Sequence, residues 1–134
     1  MIDRFVPDRR RVLLVEDSDS VRRAVALGLT ASGFDVTAVA DGAQALAVFD
    51  AVRPAVLVTD LTMPGMDGFE LVRTLRVRQV GVPVLVISAR DSAQDKAAAL
   101  AAGSDSYLVK PFGLAELRDR VTALADARYD SLSA

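Results

Sequence analysis

The sequence predicts an α/β fold, a five-stranded parallel sheet with helices on both faces, and three observations predict it. Short aliphatic runs recur five times along the chain. Each is followed by a stretch whose apolar residues return at helical spacing. The runs are mostly continuous rather than alternating, which marks strands buried on both faces.

The elements follow in order. Arg11 to Val15 (RVLLV) is the first strand and stops at Glu16-Asp17. From Ser20 to Ser32 the apolar positions Val21, Ala24, Val25, Leu27, Gly28 and Leu29 recur helically, with Arg22 and Arg23 on a solvated face and Gly33 as the stop. Asp35 to Ala40 is the second strand, and Asp41-Gly42 is a turn before a helix that ends ahead of Pro54. Ala55 to Asp60 is the third strand, and Pro64-Gly65 turns the chain toward a helix from Gly68 to Arg78. Val84 to Ser88 is the fourth strand, Ser92 to Ala102 an Ala-rich helix ending at Gly103, and Ser106 to Val109 a weak fifth strand. The last helix runs from Leu114 to about Asp126. Helices between parallel strands supply right-handed crossovers. Residues 1–10 and 128–134 carry no periodicity, so 1–10 reads as a flexible segment, 11–127 as one folded domain and 128–134 as a frayed tail or the start of a linker.

Composition limits the chemistry. The 134 residues are 51% hydrophobic and 25% charged, enough apolar material for a core. Sixteen Lys and Arg against 18 Asp and Glu give a net charge of -2, which argues against a domain that grips nucleic acid. No apolar run has membrane-spanning length, and no signal peptide is visible, in keeping with a cytoplasmic protein. There is no Cys and no His, which excludes thiolate chemistry, a His general base and His-bound metal. Carboxylates, hydroxyls, Lys, Arg and bound ions are left.

In such sheets ligands sit beyond the carboxyl ends of the strands. Glu16 and Asp17 follow the first strand, Asp60 ends the third, Ser88 ends the fourth, and Lys110 follows the fifth. Two carboxylates about 5 Å apart repel by about 3 kcal/mol at an effective dielectric near 20. Raised pKa values or a hard cation held by oxygens would relieve this, and Mg²⁺ suits a few carboxylates with retained waters. Beside it Asp60 could act as nucleophile, with Ser88 and Lys110 touching phosphoryl oxygens. Any one of these acids alone is an ordinary solvated loop residue; the convergence of the groups carries the argument. Met63 and Met66 read as core fillers and Arg9-Arg10-Arg11 as a solvated charge run.

The stretches LLVEDSDSVRR, VTDLTMPGMDGFE, VLVISA and GSDSYLVKPF together resemble the response-regulator receiver domain of two-component signalling, over about residues 10 to 127. The resemblance implies a doubly wound, flavodoxin-like sheet of order 2-1-3-4-5. It implies that Asp60 is a phosphoacceptor charged by a sensor histidine kinase or a histidine phosphotransfer protein. By position, Asp17, Asp60 and the backbone carbonyl of Thr62 resemble the Mg²⁺ ligands, and Glu16 resembles the acid that reaches the metal through water. Ser88, with Ala89 beside it, and Lys110 resemble the phosphate contacts, Tyr107 the aromatic that turns inward, and Pro111 the proline that follows a commonly cis bond. Glu16 stands where many relatives carry Asp. Thr62 and Arg90 stand where water access to the phosphoryl group is tuned in that family.

The pattern QDKAAALAAGSDSYLVKPFGLAELRDRV resembles the branch that carries a winged-helix DNA-binding domain. Those receivers form homodimers on phosphorylation, and Lys96 with Glu116 matches one cross-subunit pair. Arg120 matches one side of another, but Ser106 stands where its acid is expected. Nucleic acid would not bind these residues directly, and no membrane partner is implied. A phosphoacceptor switch with only self-directed catalysis is the leading reading. An aspartyl-phosphate hydrolase would want a second acid where Thr62 stands. A degenerate interaction module would lack a site residue, and none is missing.

Overall fold

The computed structural model describes residues 8–133. The flexible segment expected over 1–10 therefore lies largely outside the described residues, and residues 8–10 form a turn in which the Arg10 amide donates to the Asp8 carboxylate at 2.9 Å. Strands β1 (Arg11–Val15), β2 (Asp35–Val39), β3 (Val56–Asp60), β4 (Val84–Ser88) and β5 (Ser106–Val109) alternate with helices α1 (Asp19–Ala31), α2 (Gly42–Val52), α3 (Gly68–Val77), α4 (Ala93–Ala102) and α5 (Leu114–Ser133). The strands form one sheet of order β2-β1-β3-β4-β5, and every neighbouring pair is parallel.

The two-residue period of a strand sorts the core into two layers. Val12 and Leu14 of β1 face α1 and α5, packing with Val25, Leu29, Leu117, Val121 and Ala125. Leu13 and Val15 face the other side and pack with Ala45 of α2, Leu71, Val72 and Leu75 of α3, and Ala99 of α4. Strands β3 and β4 are buried along their whole length. The edge strand β2 leaves Asp35 and Ala38 exposed.

Side-chain caps set the helix starts. Ser18, Asp41, Asp67 and Ser92 accept hydrogen bonds from the amides of Val21, Gln44, Glu70 and Asp95, satisfying donors that a helix leaves orphaned. The last helix departs from the expected end near Asp126 and runs to Ser133, so residues 128–133 are helical. No Gly or Pro interrupts that stretch, and Arg128 anchors it by donating to the Gly81 carbonyl at 3.0 Å. Arg9 adds a contact from below, 4.8 Å from the centre of the Tyr129 ring. Among the described residues no helix is long and apolar enough to cross a membrane.

At the start of α3 the chain lies hard against the end of β3. The Gly68 amide donates to the Leu61 carbonyl at 2.9 Å, and a Cβ at Gly68 would fall 2.2 Å from the Asp60 carbonyl oxygen and 2.9 Å from Leu61 Cα. Those are backbone atoms at the end of a buried strand, so neither neighbour can yield by rotating a side chain. Gly68→Ala should destabilise the fold by about 2–3 kcal/mol, an overpacking cost. Gly28→Ala should cost less, because the atom it would meet belongs to the exposed Leu114 side chain. Urea unfolding of the two variants compares them directly.

Candidate functional site

The carboxyl edge of the sheet gathers side chains from four strand ends. Glu16 follows β1 and is fully buried, Asp60 closes β3 with 7% exposure, and Ser88 closes β4 with 1% exposure. Lys110 follows β5, two strands away from β3, and its long stem carries the ammonium back across the sheet. Its Nζ donates to Glu16 Oε1 at 2.7 Å and to Asp60 Oδ2 at 2.9 Å. The other Asp60 oxygen, Oδ1, accepts from the amides of Leu61 at 2.6 Å and Thr62 at 3.3 Å. The other Glu16 oxygen, Oε2, accepts from the Ser18 amide at 3.1 Å.

Asp17 is exposed beside this pair. One oxygen each from Glu16, Asp17 and Asp60 lie within 4.8 Å of one another. Carboxylate oxygens alone make a hard donor set, which fits Mg²⁺ rather than a softer ion. Burial pushes the Glu16 carboxyl above its usual range; the Lys110 and Ser18 bonds pull it back only partly, and the Asp60 charge adds to the rise. For Lys110 burial acts downward, but its bonds to Glu16 and Asp60 outweigh it and the ammonium is held above its ordinary value.

The remaining residues singled out from the sequence divide into two groups. Ser88 Oγ accepts from the Arg90 amide at 3.1 Å, which leaves its own proton to be donated elsewhere. The Tyr107 hydroxyl donates to the Arg90 carbonyl at 2.8 Å, while its ring packs on the core beneath α4. Arg90 thus links the two hydroxyls through its backbone. Ala89 is exposed next to Ser88, Thr62 is exposed in the loop after β3, and the Lys110-Pro111 peptide is cis. Lys96, Glu116 and Arg120 lie away from this edge. Within one chain Lys96 pairs with Asp91 at 3.2 Å and Glu116 with Arg120 at 3.5 Å. Arg120 also donates to Ser106 Oγ at 3.0 Å and to the Tyr107 carbonyl at 2.8 Å.

Arg22 corrects the sequence reading. Expected on a solvated helix face, it instead reaches the site and donates from Nη1 to the Glu16 carbonyl at 2.9 Å, with its side chain 23% exposed. The available signal was directional: helical side chains lean toward the N-terminus, so a residue one turn into α1 overhangs the loop before it.

Comparison with known proteins agrees with this arrangement. A family model described as the response regulator receiver domain matches residues 12–122. The transcriptional regulatory protein PrrA of Mycobacterium tuberculosis is 48% identical over 118 residues, covering 88% of this chain and 51% of that protein. The response regulator MprA of Mycobacterium avium is 43% identical over 114 residues, covering 85% of this chain and 50% of its own length. The chain thus spans about half the length of these relatives. Among solved structures, the receiver domain of the Francisella response regulator 1452 superposes with a TM-score of 0.83 at 35% identity, covering 87% of this chain and 96% of that one. The chemotaxis protein CheY4 of Vibrio cholerae gives 0.80 at 36% identity, covering 84% and 96%.

The shared ammonium makes the edge sensitive to pH when Lys110 is removed. In Lys110→Met, Glu16 loses the hydrogen bond that most lowers its pKa, so its folded-state pKa climbs further above the unfolded value. A group with a raised folded pKa binds more protons folded than unfolded, so stability falls as pH rises through that window. Lys110→Met should therefore cost about 3 kcal/mol at pH 8, the scale for breaking a buried pair, and distinctly less at pH 5. Urea midpoints at the two pH values, without divalent cation, measure the difference.

Proposed function

The chain belongs to the response-regulator receiver family, and from that premise we propose that it is a cytoplasmic phosphoacceptor switch whose acceptor is Asp60. The observation that carries the reading is the Asp60 carboxylate itself. It stands at the end of a buried strand, held by two backbone amides and one ammonium, with two further acids close enough to share a cation. The donor would be a phosphohistidine on a sensor histidine kinase or a histidine phosphotransfer protein. An Asp60 oxygen attacks phosphorus, the P–O bond forms as the P–N bond breaks, and the electron pair returns to the imidazole nitrogen. Mg²⁺, held by Asp17, Asp60 and the Thr62 carbonyl with Glu16 behind it, would neutralise charge on the phosphoryl oxygens.

This chain's own residues do the rest. The Lys110 ammonium would follow the new charge from Asp60 onto the phosphoryl group, and Ser88 would turn its free proton toward another oxygen, beside Ala89. An apolar groove between α1 and the chain after β5, lined by Val21, Ala24, Val25, Pro111 and Phe112 with Lys110 at its rim, would seat the partner helix carrying the histidine. Catalysis on this reading is confined to the chain's own phosphorylation and dephosphorylation.

The first test is intact-mass spectrometry after incubation with Mg²⁺ and acetyl phosphate. One phosphoryl group should appear on the wild type and none on Asp60→Asn or after chelation. An adduct that survives Asp60→Asn would overturn the assignment.

Output would pass to the surface formed by α4, β5 and α5. If Ser88 moves, the Arg90 backbone loses its Oγ partner, and the Tyr107 hydroxyl that rests on the same residue is disturbed. Lys96 would then exchange Asp91 for Glu116 across a homodimer, with Arg120 nearby. Relatives named as transcriptional regulatory proteins, of which this chain spans about half, support an output in transcription; the near-neutral charge balance favours an effector domain over direct contact between these residues and nucleic acid. Exposed ion pairs contribute little each, so the dimer would be weak and phosphorylation-dependent. Sedimentation should show a monomer alone and a dimer with a phosphoryl mimic, and Lys96→Glu should abolish the dimer. A mimic-bound dimer that tolerates Lys96→Glu would place the interface elsewhere.

A further inference from the structure

Asp17 is the least secured of the three acids. Its carboxylate is exposed, and among the described residues no hydrogen bond or ion pair holds it. Its direction is therefore set by its backbone. The backbone is held on both sides of the Glu16 Cα: the Glu16 amide, in the peptide before it, donates to the Val39 carbonyl at 3.1 Å, and the Glu16 carbonyl, in the peptide that leads to Asp17, accepts from Arg22 Nη1 at 2.9 Å. The first bond extends the sheet ladder. The second comes from a side chain, and it binds the plane that carries the Asp17 amide.

The guanidinium is itself held. Its Nη2 donates to the Asp19 carboxylate, one turn before Arg22 in α1. A planar fork with several donors can serve the carbonyl and the carboxylate together, which a lysine's single ammonium does less well. Ordering a long side chain costs conformational entropy, so a surface arginine held on both faces is doing more than covering the helix.

We propose that Arg22 is a positioning residue for the metal ligands, fixing the Glu16-Asp17 peptide so that the Asp17 carboxylate stays aimed at Asp60. The inference rests on the Mg²⁺ site of the proposed function and names a determinant of its affinity. Orientation and charge make opposite demands here, and that opposition makes the role testable. A cation near three acids weakens their attraction for another cation, so as a mere charge Arg22 would lower Mg²⁺ affinity, and its removal would tighten binding. As a positioning residue its removal would loosen binding, by about tenfold on the scale seen for groups that orient ligands.

Isothermal titration of the whole chain with MgCl₂ at constant ionic strength reads this without phosphorylation. Arg22→Ala should raise the Mg²⁺ dissociation constant about tenfold, and Arg22→Lys, which keeps the charge and one donor, should recover part of the loss. Arg23→Ala removes the same charge from the neighbouring, exposed position and should leave affinity unchanged or slightly tighter. In acetyl phosphate reactions, Arg22→Ala should raise the half-saturating Mg²⁺ concentration and still reach the wild-type rate when Mg²⁺ saturates. Thermal melts confirm that each variant folds; if Arg22→Ala does not, Arg22→Gln carries the comparison. Unchanged or tighter Mg²⁺ binding by the folded variant overturns the positioning role while the phosphoacceptor reading stands. Failure of the wild type to bind Mg²⁺ overturns both.

Discussion

One ammonium holds the functional edge together. Lys110 is anchored after β5, at the margin of the sheet, yet its charge is shared by Glu16 at the end of β1 and Asp60 at the end of β3. Two buried carboxylates need a close partner of opposite charge, because the cost of desolvating charge is offset only by such a contact. The strand order makes the arrangement possible. With β1 beside β3 the two acids are neighbours, and with β5 at the edge the lysine approaches over β4. Attraction to the Lys110 ammonium holds the two acids together, and for the same reason an added phosphoryl group would rearrange them.

The opposite edge of the sheet has no comparable freedom. Arg76 donates to the carbonyls of Val80 and Gly103 and pairs with Asp105, whose carboxylate in turn accepts from the Val84 amide. Arg128 ties the end of α5 to Gly81. These bonds join the start of β4, the start of β5 and the ends of α3 and α5. Between the stapled edge and the charged edge lies α4, which buries only Ala99. A helix with so little buried apolar surface is held weakly, and low local stability is where conformational change is found. The Arg90 segment that bridges Ser88 and Tyr107 leads directly into it. A response to phosphorylation of the kind proposed would meet least resistance at the β4–α4 connection and the face beyond it.

The strands and most helix boundaries were legible because they depend on local pattern. Continuous aliphatic runs mark β3 and β4, and the onset of helical spacing marks the helix starts within a residue or two. The carboxyl-edge residues were legible because a parallel sheet puts all strand ends on one side. Two features escaped for physical reasons. The end of α5 is set by Arg128 reaching Gly81, a contact across the sequence that no helical period encodes. Arg22 reads as a solvated arginine by composition, and its use depends on a side-chain direction rather than on periodicity. The pairing of Lys96 with Asp91 shows a related limit: a match to a surface pattern names the charges, but a single chain satisfies them locally.

The hydrogen bonds already made at the site decide how three acids would divide a metal's coordination. Both Glu16 oxygens are engaged, one by Lys110 and one by the Ser18 amide, and its side chain is almost wholly buried. Asp60 likewise has both oxygens hydrogen-bonded, but its Oδ2 partner is a side-chain ammonium on a flexible stem rather than a backbone amide. Among the described residues Asp17 makes no such bonds, and it is exposed. A hard ion arriving from solvent would therefore take Asp17 first and Asp60 second, and would meet Glu16 only through its own water. The extra methylene of Glu16, relative to an aspartate, serves the lysine: it carries the carboxylate to 2.7 Å from Nζ, where it orients the ammonium. On this reasoning the glutamate trades direct coordination for command of the lysine. The affinity of such a site would then depend most on how firmly Asp17 is aimed, the one acid of the three whose side chain no partner among the described residues restrains.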